Sequence, residues 1–237
     1  MRGLPANRRS RPKTLVIQHE QQHPQSPVRL ATLNVGTLTA RSRELASNLR
    51  SRRVDICCIQ ETRWEGSKCA KIGDGYRLMY HGTSDRNGVC IVISETFRNY
   101  VTAVDCISDR LMGVKVDTGK VTMRIISAYA PQVGCTAEQK SSFYEDLEQY
   151  VHSIEYDEVL LLGGDLNGHI GEKREGFDRW HGGYGYGTCN EEGQRILEFE
   201  PCLTSSLLTS VPSYTVPEEE VTLSQAVAEK HKSTSGC

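Results

Sequence analysis

Residues 159–168, Val-Leu-Leu-Leu-Gly-Gly-Asp-Leu-Asn-Gly, hold a short apolar run that ends in glycines and polar side chains. Four apolar residues bounded by turn-forming residues predict a buried strand over residues 159–162. The two glycines before Asp165 let the backbone turn sharply, so that a carboxylate can point into a pocket. This stretch therefore predicts a buried strand with polar groups at its carboxyl end.

Two earlier apolar runs end in the same way. Residues 30–33 lead into Asn34, and residues 56–59 lead into Gln60 and Glu61. Between these runs, an amphipathic pattern over residues 41–53 predicts a helix, so this part of the chain forms a βαβ unit. If the three strands are neighbours in one sheet, Asn34, Glu61, Asp165 and Asn167 gather at one edge.

The middle of the chain predicts further strands, because β-branched and aromatic runs alternate there with turn signals such as Asn87-Gly88. These strands are predicted over residues 76–80, 89–94, 100–107, 111–116 and 121–129. A capping-box pattern at residues 136–139 predicts the start of a helix that extends to about residue 153. Another helix is predicted over residues 191–199, so the fold class is α/β.

Composition divides the chain into three parts. Residues 1–28 are rich in Arg, Gln, Pro and His without sustained periodicity, which predicts a flexible basic leader. Residues 29–200 carry the regular pattern of a domain. After residue 200, Pro201 halts the helix and Ser, Thr, Val and Pro dominate. We therefore expect a weakly structured tail over residues 201–237, with no continuation of the sheet.

The overall composition excludes several classes of protein. Hydrophobic residues make up 38% and charged residues 24% of the chain, and no apolar run approaches the roughly 20 residues that span a bilayer. The N-terminus lacks an apolar signal core, so a nuclear or cytoplasmic location is expected, with no membrane partner. Nine cysteines occur without a Cys-x-x-Cys pair, which argues against a disulfide framework and a zinc cage.

Charge is unevenly distributed along the chain. Residues 1–29 contain six Lys or Arg and one Glu, although the whole chain has a net charge of −2. A basic leader can hold nucleic acid or serve as an import signal, but composition alone favours a solvated tail. The acidic remainder suits an enzyme that brings cations to an acidic pocket.

The polar residues at the strand ends suit a hard cation. Magnesium is typically bound by one or two carboxylates together with amide or water oxygens, and it keeps positions open for phosphate. Taken singly, each of these residues is more often a solvated turn or a helix cap. Their joint occurrence at three strand ends favours a metal site.

Four ordered motifs carry a family resemblance. They are Thr32-Leu-Asn34, Ile59-Gln-Glu-Thr62, Ser127-Ala-Tyr-Ala-Pro131 and Gly163-Gly-Asp-Leu-Asn-Gly168. In this order and spacing, residues 29–199 resemble the endonuclease/exonuclease/phosphatase family, and in particular the endonuclease domains of RTE-type LINE retrotransposons. The resemblance implies a four-layer α/β sandwich of two mixed β-sheets flanked by helices.

The resemblance also implies roles for five residues. Glu61 is implied as the main Mg²⁺ ligand, with Asn34 close to the metal and Mn²⁺ as an alternative ion. Asp165 is implied to orient or deprotonate the attacking water, and Asn167 to hydrogen-bond a phosphate oxygen. Tyr129 is implied to contact the scissile phosphate or the leaving side; without the motif, a core tyrosine at a strand end is an equally good interpretation.

The family's last strands carry an Asp beside an aromatic residue and a Ser-Asp-His motif, and nothing after Phe199 matches them. His231 is interpreted as a surface residue and His181 as a loop residue that does not replace the missing histidine. His169 is interpreted as a loop histidine beside the motif, with a place in the cleft as the alternative. The domain is therefore expected to be incomplete at its C-terminus. Impaired catalysis and self-association through open sheet edges are both expected to follow.

Three functional hypotheses remain. The first is a Mg²⁺-dependent phosphodiester hydrolase that nicks DNA, derived from a retrotransposon. The alternative is a non-catalytic descendant that acts in nuclear binding or development through its basic leader. A third hypothesis keeps the chemistry with a phospholipid, phosphoinositide or nucleotide substrate, and the retrotransposon-like motifs disfavour it.

Overall fold

The computed structural model describes residues 28–173, 176–177, 187–199 and 207–209. The predicted leader over residues 1–28 lies almost entirely outside the described residues, as does most of the predicted tail over 201–237. Within the described part, two five-stranded sheets pack face to face.

The first sheet has the strand order β1-β2-β5-β4-β3. Its strands are β1 (Leu30–Asn34), β2 (Ile56–Gln60), β3 (Gly66–Gly73), β4 (Tyr76–Gly82) and β5 (Val89–Ile93). Helix α1 (Ser42–Ser51) connects β1 to β2, which pair in parallel, so the predicted βαβ unit is confirmed. The other pairs in this sheet are antiparallel.

The second sheet has the strand order β10-β9-β8-β7-β6. Its strands are β6 (Val101–Ser108), β7 (Leu111–Asp117), β8 (Thr122–Tyr129), β9 (Val159–Asp165) and β10 (Leu207–Thr209). Helix α2 (Ala137–His152) connects β8 to β9, which are parallel, and helix α3 (Glu191–Phe199) follows β9 in the chain. Helix α2 begins at Thr136 with the predicted capping box.

Three hydrophobic clusters fill the spaces between four layers. Between the two sheets lie residues such as Ile56, Ile91, Met112, Ile125 and Leu161. Leu45 and Leu49 of α1 pack on the outer face of the first sheet, whereas Phe143 and Leu147 of α2 and Ile196 of α3 pack on the second. The predicted four-layer sandwich of two mixed sheets flanked by helices is confirmed.

The structure corrects the sequence predictions at three points. Strand β9 belongs to the second sheet, so the three strands that carry the predicted site residues are not neighbours in one sheet. Strand β3 was not predicted, because its mostly exposed and polar residues lack the alternation of a half-buried strand. Strand β10 pairs in parallel with β9, although no strand was expected after residue 200.

No helix among the described residues is long and apolar enough to cross a membrane.

Candidate active site

The candidate active site lies where the carboxyl ends of β1 and β2 meet those of β8 and β9 across the sandwich. Glu61 directly follows β2, and its backbone adopts the left-handed conformation with a φ of +58°. Its neighbours Thr62 and Arg63 are held through their backbone N–H groups, which donate to Gly88 O and Asn87 O at 3.0 and 2.8 Å. The Glu61 side chain is only 12% exposed. Its carboxylate is therefore fixed at the edge of the sandwich where the two sheets meet.

Asn34 connects the two acidic residues of the site. Its Nδ2 donates to Glu61 Oε1 and to Asp165 Oδ2, each at 2.8 Å. The distance between Glu61 Oε1 and Asp165 Oδ2 is therefore at most the sum of these two hydrogen-bond lengths. Gly36 N–H donates to Asn34 Oδ1 at 3.0 Å, which fixes the orientation of the amide. In this geometry Asn34 turns its nitrogen toward the carboxylates and its oxygen toward the backbone.

Tyr129 is the last residue of β8 and reaches Glu61 from the second sheet. Its hydroxyl donates to Glu61 Oε1 at 2.8 Å, and Gln132 Nε2 donates to the same hydroxyl oxygen at 2.8 Å. Burial of the phenol, followed by its hydrogen bond to the Glu61 carboxylate, raises the pKa of Tyr129 above its ordinary value. Tyr129 therefore stays protonated at neutral pH and acts as a hydrogen-bond donor.

Asp165 ends β9 and is buried, with 5% of its surface exposed. Burial raises the pKa of the Asp165 carboxyl group, and the nearby Glu61 charge acts in the same direction. Hydrogen bonds from Asn34 and from the Asn167 backbone N–H, the latter at 3.1 Å, oppose this rise without cancelling it. The carboxylate is thus more basic than an exposed aspartate.

Asn167 lies in the loop after β9, with a φ of +50°. Its side-chain Nδ2 donates to Ala130 O at 2.6 Å, so the loop after β9 is tied to the loop after β8. An amide nitrogen carries two hydrogens, which leaves one available to an incoming group.

Buried polar side chains connect the sheets directly behind the site. Gln60 is fully buried; its Oε1 accepts from Thr32 Oγ1 and its Nε2 donates to Ser127 Oγ, both at 3.3 Å. The Ser127 hydroxyl donates to Ile59 O at 3.2 Å. Because buried polar groups are costly when unpaired, this network fixes the registry of the two sheets at the site.

The charge of the site is unbalanced. Two carboxylates are held mainly by neutral amides and a hydroxyl. The guanidinium of Arg63, which is 51% exposed, approaches Glu61 Oε2 only to 3.6 Å. The described residues contain no cluster of three or more His, Cys, Asp and Glu placed to hold a metal. Two adjacent carboxylates with a weakly paired oxygen nevertheless fit a hard divalent cation that completes its shell with water or phosphate.

The structure thus brings together Asn34, Glu61, Tyr129 and Asp165, with Asn167 attached to Asp165 through its backbone. Sequence reasoning missed Arg63 and Gln132, although each lies close to a quoted motif in the chain. It also missed Arg110, whose guanidinium lies 5.0 Å from the centroid of the Tyr129 ring.

The histidines named from the sequence do not join the carboxylate cluster among the described residues. His169 is exposed, and its backbone N–H and C=O bond to Asn190. His181 and His231 lie outside the described residues.

Comparisons with known proteins identify the family and support the fold. The model of the family described as Endonuclease/Exonuclease/phosphatase matches residues 31–189. Craniofacial development protein 2 of Bos taurus is 29% identical over 148 residues, which cover 62% of this chain and 24% of that protein. The chain therefore spans about a quarter of the length of this curated relative.

Two solved structures share the fold. An AP endonuclease, LMAP from Leishmania major, has a TM-score of 0.57 at 14% identity, covering 76% of this chain and 68% of that one. The endonuclease domain of TRAS1, a telomere-specific non-LTR retrotransposon, has a TM-score of 0.52 at 18% identity, covering 75% and 73%. At these identities the likeness concerns the fold alone.

Proposed function

The chain belongs to the endonuclease/exonuclease/phosphatase family, and we propose that it is a magnesium-dependent phosphodiester hydrolase that nicks DNA. The observation that carries this proposal is the Glu61–Asn34–Asp165 arrangement, in which one amide nitrogen holds two carboxylates together. The names of two structural neighbours, an AP endonuclease and a retrotransposon endonuclease domain, support DNA as the substrate.

Glu61 is proposed to hold the divalent cation through Oε2, since Oε1 already accepts from Asn34 and Tyr129. Asn34 keeps both carboxylates in place. A bound Mg²⁺ would neutralise the charge that develops on the phosphate during hydrolysis.

Three residues are proposed to act on the reacting groups. Asp165 orients the attacking water and accepts its proton, and the raised pKa of its carboxyl group supports the role of a base. Tyr129 is proposed to contact the phosphate through its hydroxyl, whose single hydrogen would turn from Glu61 Oε1 to a phosphate oxygen when substrate binds. Asn167 offers the second hydrogen of its amide to another phosphate oxygen. Phosphoryl transfer needs this positioning together with charge stabilisation.

A supercoiled-plasmid nicking assay tests the proposal. We expect the wild type to convert supercoiled DNA to the open-circular form with Mg²⁺ and not with EDTA. Glu61→Gln is expected to reduce the rate by roughly 10³-fold, because metal charge stabilisation contributes several kcal/mol. Glu145→Gln, on the exposed face of α2, is the matched control and keeps the wild-type rate. Equal nicking by the wild type and Glu61→Gln would contradict the proposal.

The second candidate is a non-catalytic protein that binds nucleic acid in the nucleus or acts in development. The basic composition of residues 1–29 and the name of the bovine relative favour it. Metal-independent DNA binding by both wild type and Glu61→Gln, without nicking by either, would support this candidate. The reduced activity, the self-association and the nuclear or cytoplasmic location expected from the sequence stay predictions.

A further inference from the structure

The turn between β6 and β7 consists of two charged residues, Asp109 and Arg110, and each contacts a different part of the candidate site. The Asp109 carboxylate faces the loop between β4 and β5. Its Oδ2 accepts from Asn87 Nδ2 at 2.8 Å and from Thr83 Oγ1 at 3.2 Å, and its backbone carbonyl accepts from Gly88 N–H at 2.9 Å. Asp109 therefore fixes the Asn87-Gly88 segment by two hydrogen bonds, and a third holds Thr83 at the start of the same loop.

The Asn87-Gly88 segment in turn holds the backbone around Glu61. The carbonyls of Gly88 and Asn87 accept the N–H groups of Thr62 and Arg63. Gly88 has a φ of +100°, and a Cβ there would lie 2.4 Å from Thr62 Oγ1, so the two segments are in direct contact. Glu61 and Arg63 both adopt the left-handed conformation, which costs free energy in non-glycine residues and persists only where neighbouring groups impose it.

Arg110 holds Tyr129, the residue that hydrogen-bonds to Glu61 from the second sheet. Its Nη1 donates to the carbonyls of Tyr129 and Ala130, each at 3.3 Å, and its own carbonyl accepts from Tyr129 N–H at 2.8 Å. The guanidinium also lies over the Tyr129 ring. The side chain is thus fixed on the residue that donates to Glu61 from the second sheet.

We propose that the Asp109–Arg110 turn is a positioning element that sets the Glu61–Tyr129 hydrogen bond across the two sheets. Asp109 acts through Glu61, and Arg110 acts through Tyr129. The expected effect of the turn on catalysis rests on the proposed function. Its expected effect on the protection of backbone amides does not. Small displacements of reacting groups reduce rates strongly, because a misplacement of about 1 Å can cost roughly 10²-fold.

Asp109→Ala and Asp109→Asn test the first half. Alanine removes the acceptor, whereas asparagine keeps an oxygen that can accept from both Asn87 and Thr83. By amide hydrogen exchange, we expect Asp109→Ala to speed exchange of Thr62 and Arg63 at least about tenfold and Asp109→Asn to restore most of the protection. Asp117→Ala is the matched control, because Asp117 also accepts in a hairpin turn, from Gly119 N–H, but belongs to the turn between β7 and β8. Unchanged exchange at Thr62 and Arg63 in Asp109→Ala would overturn this half, whether or not the protein nicks DNA.

A double-mutant cycle tests the second half. Lysine at position 110 keeps the charge but loses the planar fork. We expect Arg110→Lys to lower kcat about tenfold in the wild-type background, with little change in KM, and to have almost no effect in the Tyr129→Phe background. Arg98→Lys, at a position that pairs with Glu95 away from the site, is the control. Equal losses in both backgrounds would overturn the proposed action through Tyr129.

The two tests distinguish failure of this proposal from failure of the proposed function. If the wild type does not nick DNA, the proposed function fails. The turn is then judged by exchange, with Arg110→Lys expected to speed exchange of the Tyr129 amide at least about threefold and no change there overturning it. If the wild type nicks DNA and both tests are negative, the proposed function stands and the positioning role is wrong.

Discussion

Strands β8 and β9 begin beside one polar cluster and end at another, and the two clusters are built in opposite ways. At the start, Arg124 donates from Nε and Nη2 to the two oxygens of Glu158, at 2.9 and 3.2 Å. Arg124 also pairs with Asp105, and Lys115 lies 2.6 Å from Glu158. We call these four residues the paired cluster. Each of its two carboxylates contacts a cation, and the exposed Glu155 also pairs with Lys115, at 3.3 Å.

At the other end of the same strands, Glu61 and Asp165 are held by neutral donors, and among the described residues only Arg63 forms an ion pair with either of them, at 3.6 Å from Glu61. The pKa values of the two clusters reflect this difference. Burial disfavours the charged form of both Glu158 and Asp165. Hydrogen bonds from Arg124 and Lys115 nevertheless lower the pKa of Glu158, whereas the pKa of Asp165 is raised. We therefore expect the paired cluster to stabilise the fold, and we propose that the Glu61–Asp165 cluster binds a cation.

Apart from the loss of Glu61 itself, the largest expected effect comes from Asn34, the bridge of the site. Asn34→Ala removes the group that holds both carboxylates, so we expect nicking to fall about 10²-fold. The melting temperature should fall by about 2–6 °C, because the buried Asp165 carboxylate loses one hydrogen-bond donor. Plasmid nicking and thermal denaturation measure the two effects, with Asn48→Ala on the exposed face of α1 as the control. A large stability loss with unchanged nicking would mean that the Glu61–Asp165 cluster, like the paired cluster, serves to stabilise the fold.

Glu158→Ala should show the reverse pattern. It leaves Arg124 without its main partner, and we expect a loss of about 2 kcal/mol in the free energy of unfolding. Lys115 stays accessible to water, which keeps the loss below that of a fully buried pair. Urea denaturation measures the loss in the free energy of unfolding. Nicking per folded molecule at low temperature should stay near the wild-type rate. If Glu158→Ala abolished nicking but left stability intact, the contrast between the two clusters would be wrong.

Acidification should affect the two clusters with opposite signs, measured in EDTA. The lowered pKa of Glu158 means that its stabilisation is present above its ordinary value of 4.5 and is lost as pH falls through the folded pKa. The raised pKa of Asp165 means that its contribution is favourable below its ordinary value of 3.8 and is lost as pH rises through the folded pKa.

Relative to the wild type, Glu158→Gln should therefore lose stability as pH rises from the folded pKa of Glu158 toward 4.5, and Asp165→Asn should gain stability as pH rises above 3.8. Relative shifts of about 1–3 °C in melting temperature are expected across these ranges. If the melting temperature relative to the wild type changed with pH in the same direction for both variants, the assignment of opposite pKa shifts would be wrong.

The smallest expected effect concerns Arg63. Because its long, half-exposed pair with Glu61 competes with a cation for Oε2, Arg63→Gln should tighten Mn²⁺ binding by about two- to fivefold. Titration calorimetry measures the affinity, and Arg86→Gln on the neighbouring exposed loop is the control. Weaker Mn²⁺ binding in Arg63→Gln would show that Arg63 supports the cation site.

Local sequence patterns predicted most elements of the fold. The capping box at Thr136 and the spacing of Leu45 and Leu49 depend on residues a few positions apart, and both helices are present. Strand β3 was missed because it lies at an edge, where its mostly exposed side chains need no apolar alternation. The assignment of β9 to the same sheet as β1 and β2 was wrong, because an apolar run indicates burial without naming the neighbouring strand.

The sequence by itself determined which residues end each buried strand, and its four motifs determined the family, since these are properties of short stretches. Only the tertiary structure decided that Glu61 and Asp165 face each other from different sheets and share Asn34. It also decided that the Asp109–Arg110 turn contacts the neighbourhoods of both Glu61 and Tyr129. These contacts join residues far apart in the chain, and the packing of the whole sandwich selects them.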